Sequence, residues 1–373
     1  MTRHLPSRRA VLLGAGAAAL AASPLGAAAP ALAATPSPPP SAGPPPSRRS
    51  GARLVAAGVR DKMTWWDATS TAGPALLHYN YVPILAWRGD RNSRNLTVAN
   101  VIAPPRQLAG SSLQKWVLAD ASEQAPALMP SLVSSTVAHL AWTGINGGRS
   151  LNVANLELDA GANRFTGRVL GHVLVAGNQV SSRTGPSWAQ SDPHQINTVD
   201  QYGNVVYASE TGDLTFGPLG TLNFIQPYGT RGPVRRFGNL WYWTAADGAL
   251  CFAFTGSPNP TNESPRVARS AQSSLFEPSH IAYAEHAGNA LPCIAWTGID
   301  GAGYLNIAPI DYGAVQAGND PIGTVYTLPE TSIGAPAMGN EPPYGSNYTA
   351  RTVIFWTGAD GTGALNACEV TLP

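Results

Sequence analysis

The sequence predicts an all-β fold, a single β-propeller of six blades, or seven if region 157–235 holds two degenerate ones. Three observations carry this. A tryptophan-centred phrase recurs along most of the chain. Each copy reads as a hairpin of two strands around Gly-rich turn chemistry. Helix breakers abound, with 39 Gly and 33 Pro in 373 residues.

The first copy of the phrase is ILAWRGDRNSRNLTVA at 84–99 and the second is HLAWTGINGGRSLNVA at 139–154. CIAWTGIDGAGYLNIA at 293–308 and VIFWTGADGTGALNAC at 353–368 repeat it, and LWYWTAADGALCFAF at 240–254 shortens it. The apolar run before each Trp is rich in β-formers and reads as a strand. Gly tolerates positive φ and Asp hydrogen-bonds the backbone ahead of it, so T-G-x-D-G is a turn. The Leu-Asn-Val-Ala that follows resumes alternation as a second strand. Upstream, Ala72-Gly73-Pro74-Ala75-Leu76, Ala125-Pro126-Ala127-Leu128 and Ala335-Pro336-Ala337-Met338 supply another strand, with Ser273-Ser274-Leu275 as a weak counterpart. Proline belongs at such a strand start. Segments such as Gly167-Arg168-Val169-Leu170 make a fourth.

The tryptophans set the period. Trp87 to Trp142 spans 55 residues, Trp243 to Trp296 spans 53 and Trp296 to Trp356 spans 60. The interval from 142 to 243 is close to two periods of about 54, so one degenerate copy lies between them. SWAQSDPHQINTV with Trp188, or VVYASETGDLTF with Tyr207, is that copy. The last copy ends soon after its Leu-Asn strand. Residues 53–66 are therefore expected to pair with the C-terminal blade and close the ring, which removes exposed sheet edges.

The repeats are preceded by a different kind of sequence. Arg8-Arg9 is followed by an uncharged Ala/Leu/Gly run and by the small-residue site Ala31-Leu32-Ala33. This resembles a twin-arginine export signal over 1–34, which implies secretion of an already folded chain. The run is too interrupted to span a bilayer. Residues 35–51, with TPSPPPSAGPPPS, read as an extended Pro-rich linker, leaving 52–373 as the propeller domain. Cys251, Cys293 and Cys368 are too few and unevenly spaced for a disulfide framework, and buried thiols are expected.

The phrase W-T-G-x-D-G-x-x-x-L-N-[VI]-A resembles the repeats of secreted bacterial β-propellers, including lectin-like and Asp-box (sialidase-like) ones. The likeness spans Trp87 to Cys368. It departs from true Asp-boxes because Trp precedes Asp, at Trp296 with Asp300 and Trp356 with Asp360. A sialidase-type arginine triad with its Tyr/Glu pair is not discernible. The resemblance implies the fold and leaves the ligand open.

Only 12% of residues are charged and the net charge is +1, which excludes a nucleic-acid-binding field. The low charge, with abundant Ser, Thr, Asn, Gln and Tyr, suits an extracellular glycan or other small neutral ligand bound by a monomer. Candidate ligand-binding residues are the ring faces of Trp87, Trp142, Trp188, Trp296 and Trp356, with Asp300 and Asp360. For the repeated tryptophans, packing between blades is the stronger reading. Asn146 and Asp247 read as turn supports.

The alternative is a secreted enzyme, a glycoside hydrolase or other hydrolase or lyase, at the tunnel mouth. Its candidate catalytic residues lie where the repeat breaks: Asp192, His194 and Glu210 in the third unit, Glu285 and His286 in the fifth. Arg235-Arg236 is a basic pair able to clamp an acidic group. No nucleophile elbow, zinc-protease motif or P-loop occurs, and no cofactor or metal is expected.

Overall fold

The computed structural model describes residues 55–373, except 80–81, 91–92, 104–106, 163, 174, 176–179, 190–194, 212–213, 217–219, 257–263, 287–288, 300 and 342–350. The expected export signal and linker, together with Asp192, His194 and Asp300, lie outside the described residues. Residues Arg49–Pro373 form one compact unit.

Six antiparallel sheets make a ring of blades, as the repeat predicts. Blade 1 runs through Ala75–Tyr79, Val82–Arg88, Asn95–Ile102 and Ser112–Ala121. Blade 2 comprises Ala127–Pro130, Val137–Thr143, Leu151–Leu158 and Phe165–Val173. Blade 3 has the short strands Ser187–Trp188, Gln195–Val199, Val205–Ser209 and Gly220–Thr221. Blade 4 is Arg235–Phe237, Leu240–Thr244, Ala249–Phe254 and Val267–Ser273. Blade 5 is Ala282–His286, Asn289–Thr297, Tyr304–Pro309 and Tyr326–Thr331, and Val55–Ala56 adds a parallel fifth strand to its edge. Blade 6 is Ala337–Glu341, Arg351–Thr357 and Ala364–Thr371. Its outer strand is N-terminal: Gly58–Thr69 pairs antiparallel with Ala364–Thr371, from Gly58 opposite Thr371 to Thr69 opposite Ala364. The ring is thus closed by the strand expected to close it.

First strands lie innermost and touch their neighbours around the ring. Because strands alternate in direction, two sets of loops share one end of the ring. These are the turns between second and third strands and the connections from one blade to the next. This end is called the upper face below.

Six separate apolar clusters fill the six seams between neighbouring blades. Five of them hold the repeated tryptophan of the following blade. Trp87, Trp142, Trp243, Trp296 and Trp356 occupy the seams 6/1, 1/2, 3/4, 4/5 and 5/6. The seam between blades 2 and 3 differs. Trp142 stands opposite Asn152 one residue before the turn, and in blade 3 that register belongs to Thr198, opposite Val206. The degenerate copy of the hairpin is therefore 195–209, Gln195–Val199 with Val205–Ser209, which joins the end of one candidate segment to the start of the other. Its tryptophan position is nevertheless Thr198, while Trp188 sits on the first strand.

The threonine of each W-T-G phrase stitches the seams. Thr357 Oγ1 donates to Ala72 O at 2.7 Å, Thr297 Oγ1 to Gly334 O at 2.8 Å and Thr244 Oγ1 to Phe276 O at 2.6 Å, each reaching the connection into the next blade. At the exceptional seam Thr143 Oγ1 donates to Ser182 Oγ at 2.8 Å, which lies 2.6 Å from Thr198 Oγ1. A chain of buried hydroxyls satisfies itself where other seams bury a tryptophan.

The three cysteines are free and buried, and burial pushes their thiols up, to about 11 for Cys251 and about 12 for Cys293 and Cys368. No helix among the described residues is long and apolar enough to cross a membrane.

Candidate functional site at the upper mouth of the ring

The connection into every blade ends in a proline just before the first strand: Pro74, Pro126, Pro186, Pro233, Pro278 and Pro336. Aligning the blades on this residue exposes two positions where half the ring departs from the other half. Two residues after the proline stand Leu76, Leu128 and Met338 in blades 1, 2 and 6, but Trp188, Arg235 and His280 in blades 3, 4 and 5. One residue before it stand Gly73, Ala125, Gly185, Gly232 and Ala335, but Glu277 in blade 5. The small residues there are required by close approach. A Cβ on Gly73 would lie 2.1 Å from Ala335 O of the neighbouring blade. A Cβ on Gly232 would lie 2.8 Å from Glu277 Oε2, so that glycine makes room for the carboxylate.

These departures meet one another. The rings of Trp188 and His280 lie 4.9 Å apart although blade 4 stands between their blades, so they meet on the inner side of the ring. Arg235 joins the pair from blade 4. Its Nη1 donates to His280 Nε2 at 2.6 Å, its Nε to Pro278 O at 3.2 Å, and its Nη2 lies 3.7 Å from Glu277 Oε1. A guanidinium only donates, so His280 Nε2 accepts and the ring proton sits on Nδ1. His280 is 7% exposed, and its Nδ1 has no hydrogen-bond partner among the described residues. Burial and the adjacent Arg235 hold His280 well below the ordinary histidine range, which keeps it neutral. Burial pushes the Glu277 carboxyl upward, and Arg235 opposes that only in part.

Adjoining this cluster, and sharing Glu277 with it, lies a pocket of about 530 Å³ built mainly from the connections into four blades. Gln124, Arg183, Thr184, Thr230 and Arg231 give it hydrogen-bonding walls, Leu275 and Phe276 an apolar side, and Glu277 its acid. A few polar groups converging on a concave, partly apolar surface is the usual make-up of a ligand site. No group of side chains among the described residues could hold a metal ion.

No protein-family model matches the sequence, and no curated protein matches it. Solved structures are similar in fold. A triple arginine-to-alanine mutant of AofleA from Arthrobotrys oligospora aligns over 82% of this chain and 88% of its own, with a TM-score of 0.53 and 9% identity. A Dyadobacter fermentans protein of unknown function aligns over 87% and 100%, with a TM-score of 0.52 and 10% identity. A GH43_1 enzyme from Xanthomonas citri, complexed with xylose, aligns over 74% and 92% at 10% identity, with a TM-score of 0.42. At such identities the likeness concerns the fold alone.

The sequence-predicted candidates fall in different places. Trp87, Trp142, Trp296 and Trp356 are 1–3% exposed within the seams, so they offer no ring face to a ligand and act as packing. Trp188 is half-buried and alone among the five reaches the mouth cluster. Asp360 is exposed and supports its own turn, accepting from Thr362 N at 3.1 Å and Thr362 Oγ1 at 2.6 Å. Asp247 pairs with Arg269, and Asn146 caps Ser150. Glu285 is exposed beside the hairpin turn that ends the first strand of blade 5, at the lower end, and His286 pairs there with Asn289. Neither joins the upper mouth.

Glu210 is buried between blades 2 and 3 on the lower side. It accepts from His139 Nε2 at 2.9 Å, Ser131 Oγ at 2.5 Å and Leu132 N at 2.8 Å. Burial pushes its carboxyl up, but these donors outweigh it and hold it at about 2. That makes Glu210 an inter-blade clamp. Of the basic pair, Arg236 is buried against Gln195 Oε1 and Gly238 O, whereas Arg235 does clamp an acid, its own chain's Glu277. Nothing in the sequence alone singles out Glu277 and His280. The signal that finds them is the proline register across all six blades.

Proposed function

We propose that the protein is an exported carbohydrate-binding propeller with a single site at the upper mouth of its ring. One observation carries this reading. Trp188, Arg235, Glu277 and His280 replace the apolar or small residues of the repeat in three consecutive blades and meet in one cluster, whose Glu277 lines the pocket. Each group suits a sugar. The Leu275–Phe276 side takes the apolar face of a pyranose ring, with Trp188 in the cluster beside it. Glu277, Gln124, Thr184 and Thr230 offer hydroxyl partners of both polarities. Repeated equivalent pockets at successive blades, the other lectin arrangement, are not needed, because their tryptophans are spent in the seams.

A second reading is favoured by one specific feature. A carboxyl with a raised pKa beside a neutral histidine is what acid catalysis uses. A two-carboxylate glycosidase, however, needs a partner acid roughly 5–10 Å away. Glu277 is the only carboxylate lining this pocket among the described residues. Binding without hydrolysis is thus the better supported function.

Titration calorimetry of the full chain against a panel of neutral and acidic oligosaccharides tests both. Binding that Glu277→Gln and Trp188→Ala weaken, with no new reducing ends formed, is the expected result. Product release abolished by Glu277→Gln establishes the enzyme instead. Failure to bind any saccharide overturns the proposal.

A further inference from the structure

The seam that lacks the repeated tryptophan opens a second pocket. It measures about 210 Å³, lies on the upper face between blades 2 and 3, and is lined by Gly147, Gly148, Arg149, Ser181, Ser182, Arg183 and Gln201. Arg183 lines the mouth pocket as well, so the two are joined through one side chain. Next to Gln201, Tyr202 stands 80% exposed on the turn of blade 3. A groove therefore leads from the mouth outward along the exceptional seam and ends beside an exposed aromatic ring.

Its charge is one-sided. Arg149, Arg183 and Arg231 are exposed at these two pockets, and none has a carboxylate partner among the described residues. Four arginines elsewhere are paired with acids: Arg94 with Glu123, Arg168 with Glu157, Arg269 with Asp247, Arg351 with Asp61 and Glu369. The exposed Arg60, Arg164 and Arg266, like the three here, have no ion pair among the described residues, but they do not line these pockets. The one acid in the groove, Glu277, already faces Arg235. Arg149 also occupies a costly conformation. Its φ is +47°, at the turn position where blades 5 and 6 place Gly303 at +70° and Gly363 at +66°. A side chain held in the left-handed region costs free energy that glycine there does not. Arg94 takes the same position in blade 1 and uses it to pair with Glu123. Arg149 has the same placement with its guanidinium left for something outside the chain.

We infer that the groove binds an acidic polysaccharide, a chain of carboxylated sugars laid from the mouth along the seam between blades 2 and 3. Arg231 and Arg183 hold carboxylates at the mouth, Arg149 holds one further out, and Tyr202 stacks on the chain beyond. Guanidinium–carboxylate pairs are bidentate and directional, so they read the acid and not merely its charge. The low charge of the whole chain describes its average surface, whereas the groove is locally cationic. This inference rests on the reading of the mouth as a carbohydrate site.

The probes are a short oligogalacturonate, its fully methyl-esterified form, a neutral galacto-oligosaccharide of the same length, and poly-glutamate. The full chain is expected to bind the acid form at least about tenfold more tightly than the ester, with affinity falling as salt rises. Arg183→Gln is expected to weaken the acid form about tenfold and leave the ester unchanged. Arg149→Gln is expected to weaken the oligomer but not monomeric galacturonate. Equal binding of acid and ester, or an unaffected Arg183→Gln, overturns the inference while sparing the carbohydrate site. Poly-glutamate bound as well as the oligogalacturonate overturns the sugar assignment. No binding of any saccharide brings down both readings together.

Discussion

Replacing Glu210 by Gln tests whether this acid is a clamp between blades 2 and 3 or a reactive group. The carboxylate accepts three hydrogen bonds, from His139, Ser131 and Leu132. An amide presents one oxygen and one NH₂ and carries no charge, so it cannot accept from all three groups as the carboxylate does. The magnitude follows from the carboxyl's own equilibrium. A group held at about 2 instead of its ordinary 4.5 contributes about 3 kcal/mol to folding. The shift is downward. The contribution is therefore complete above the unfolded-state value near 4.5 and is lost as pH falls towards 2. Urea unfolding followed by tryptophan fluorescence, repeated from pH 7 to pH 2, reads both effects. The variant should be less stable by about 3 kcal/mol at pH 7, and the gap should close through the acid range. Saccharide binding at the upper mouth should be unchanged where the variant is folded. Parallel pH profiles for the two proteins, or a difference below about 1 kcal/mol at pH 7, would refute the clamp.

The other predictions concern the division of labour between seams and mouth. Trp296→Ala should cost about 3–5 kcal/mol in denaturant unfolding, because it empties a seam, whereas Trp188→Ala should weaken saccharide binding by up to about tenfold with a smaller stability loss. Thr357→Val removes the donor to Ala72 O across the closing seam and should cost about 1 kcal/mol, with Thr357→Ser restoring most of it in the same assay. With all three thiols buried and pushed to about 11 or 12, a thiol reagent at pH 8 should label none in the folded protein and three after denaturation.

The parts of the fold written in local chemistry could be read from the sequence. A T-G-x-D-G turn between two apolar runs specifies a hairpin within its own sixteen or so residues, and its recurrence specifies the ring. The closing strand could be read because a terminal blade lacking an edge partner must find one. Blade 3 resisted because its defining letters are absent. Thr198 replaces the tryptophan, two of its strands are two residues long, and Trp188 draws attention to the wrong strand. The mouth cluster resisted for another reason. Glu277, His280, Arg235 and Trp188 come from three blades, and Trp188 and His280 are 92 residues apart in the chain yet 4.9 Å apart in space. Nothing local in Glu-Pro-Ser-His marks a site. Only the shared proline, compared around the ring, shows that these residues stand where others are small or apolar.

That comparison also explains why the site is single although the scaffold repeats. A ring of similar blades is stabilised by filling each seam alike, so a departure has to be tolerated against the repeat's own packing. Losing a tryptophan at one seam gives up a large buried surface, and three hydroxyls compensate it only as hydrogen bonds. Burying Glu277, Arg235 and His280 gives up more, and leaves one donor unmet. Scattered at random, such losses would fall on every blade and both faces. The missing seam tryptophan and the cluster of Trp188, Arg235, Glu277 and His280 both fall instead on blades 2 to 5 at the upper end, next to two pockets that share Arg183. Stability has been given up in the same place where binding groups have been gathered, and a ligand that meets Glu277 and the arginines would return part of what the ring forgoes.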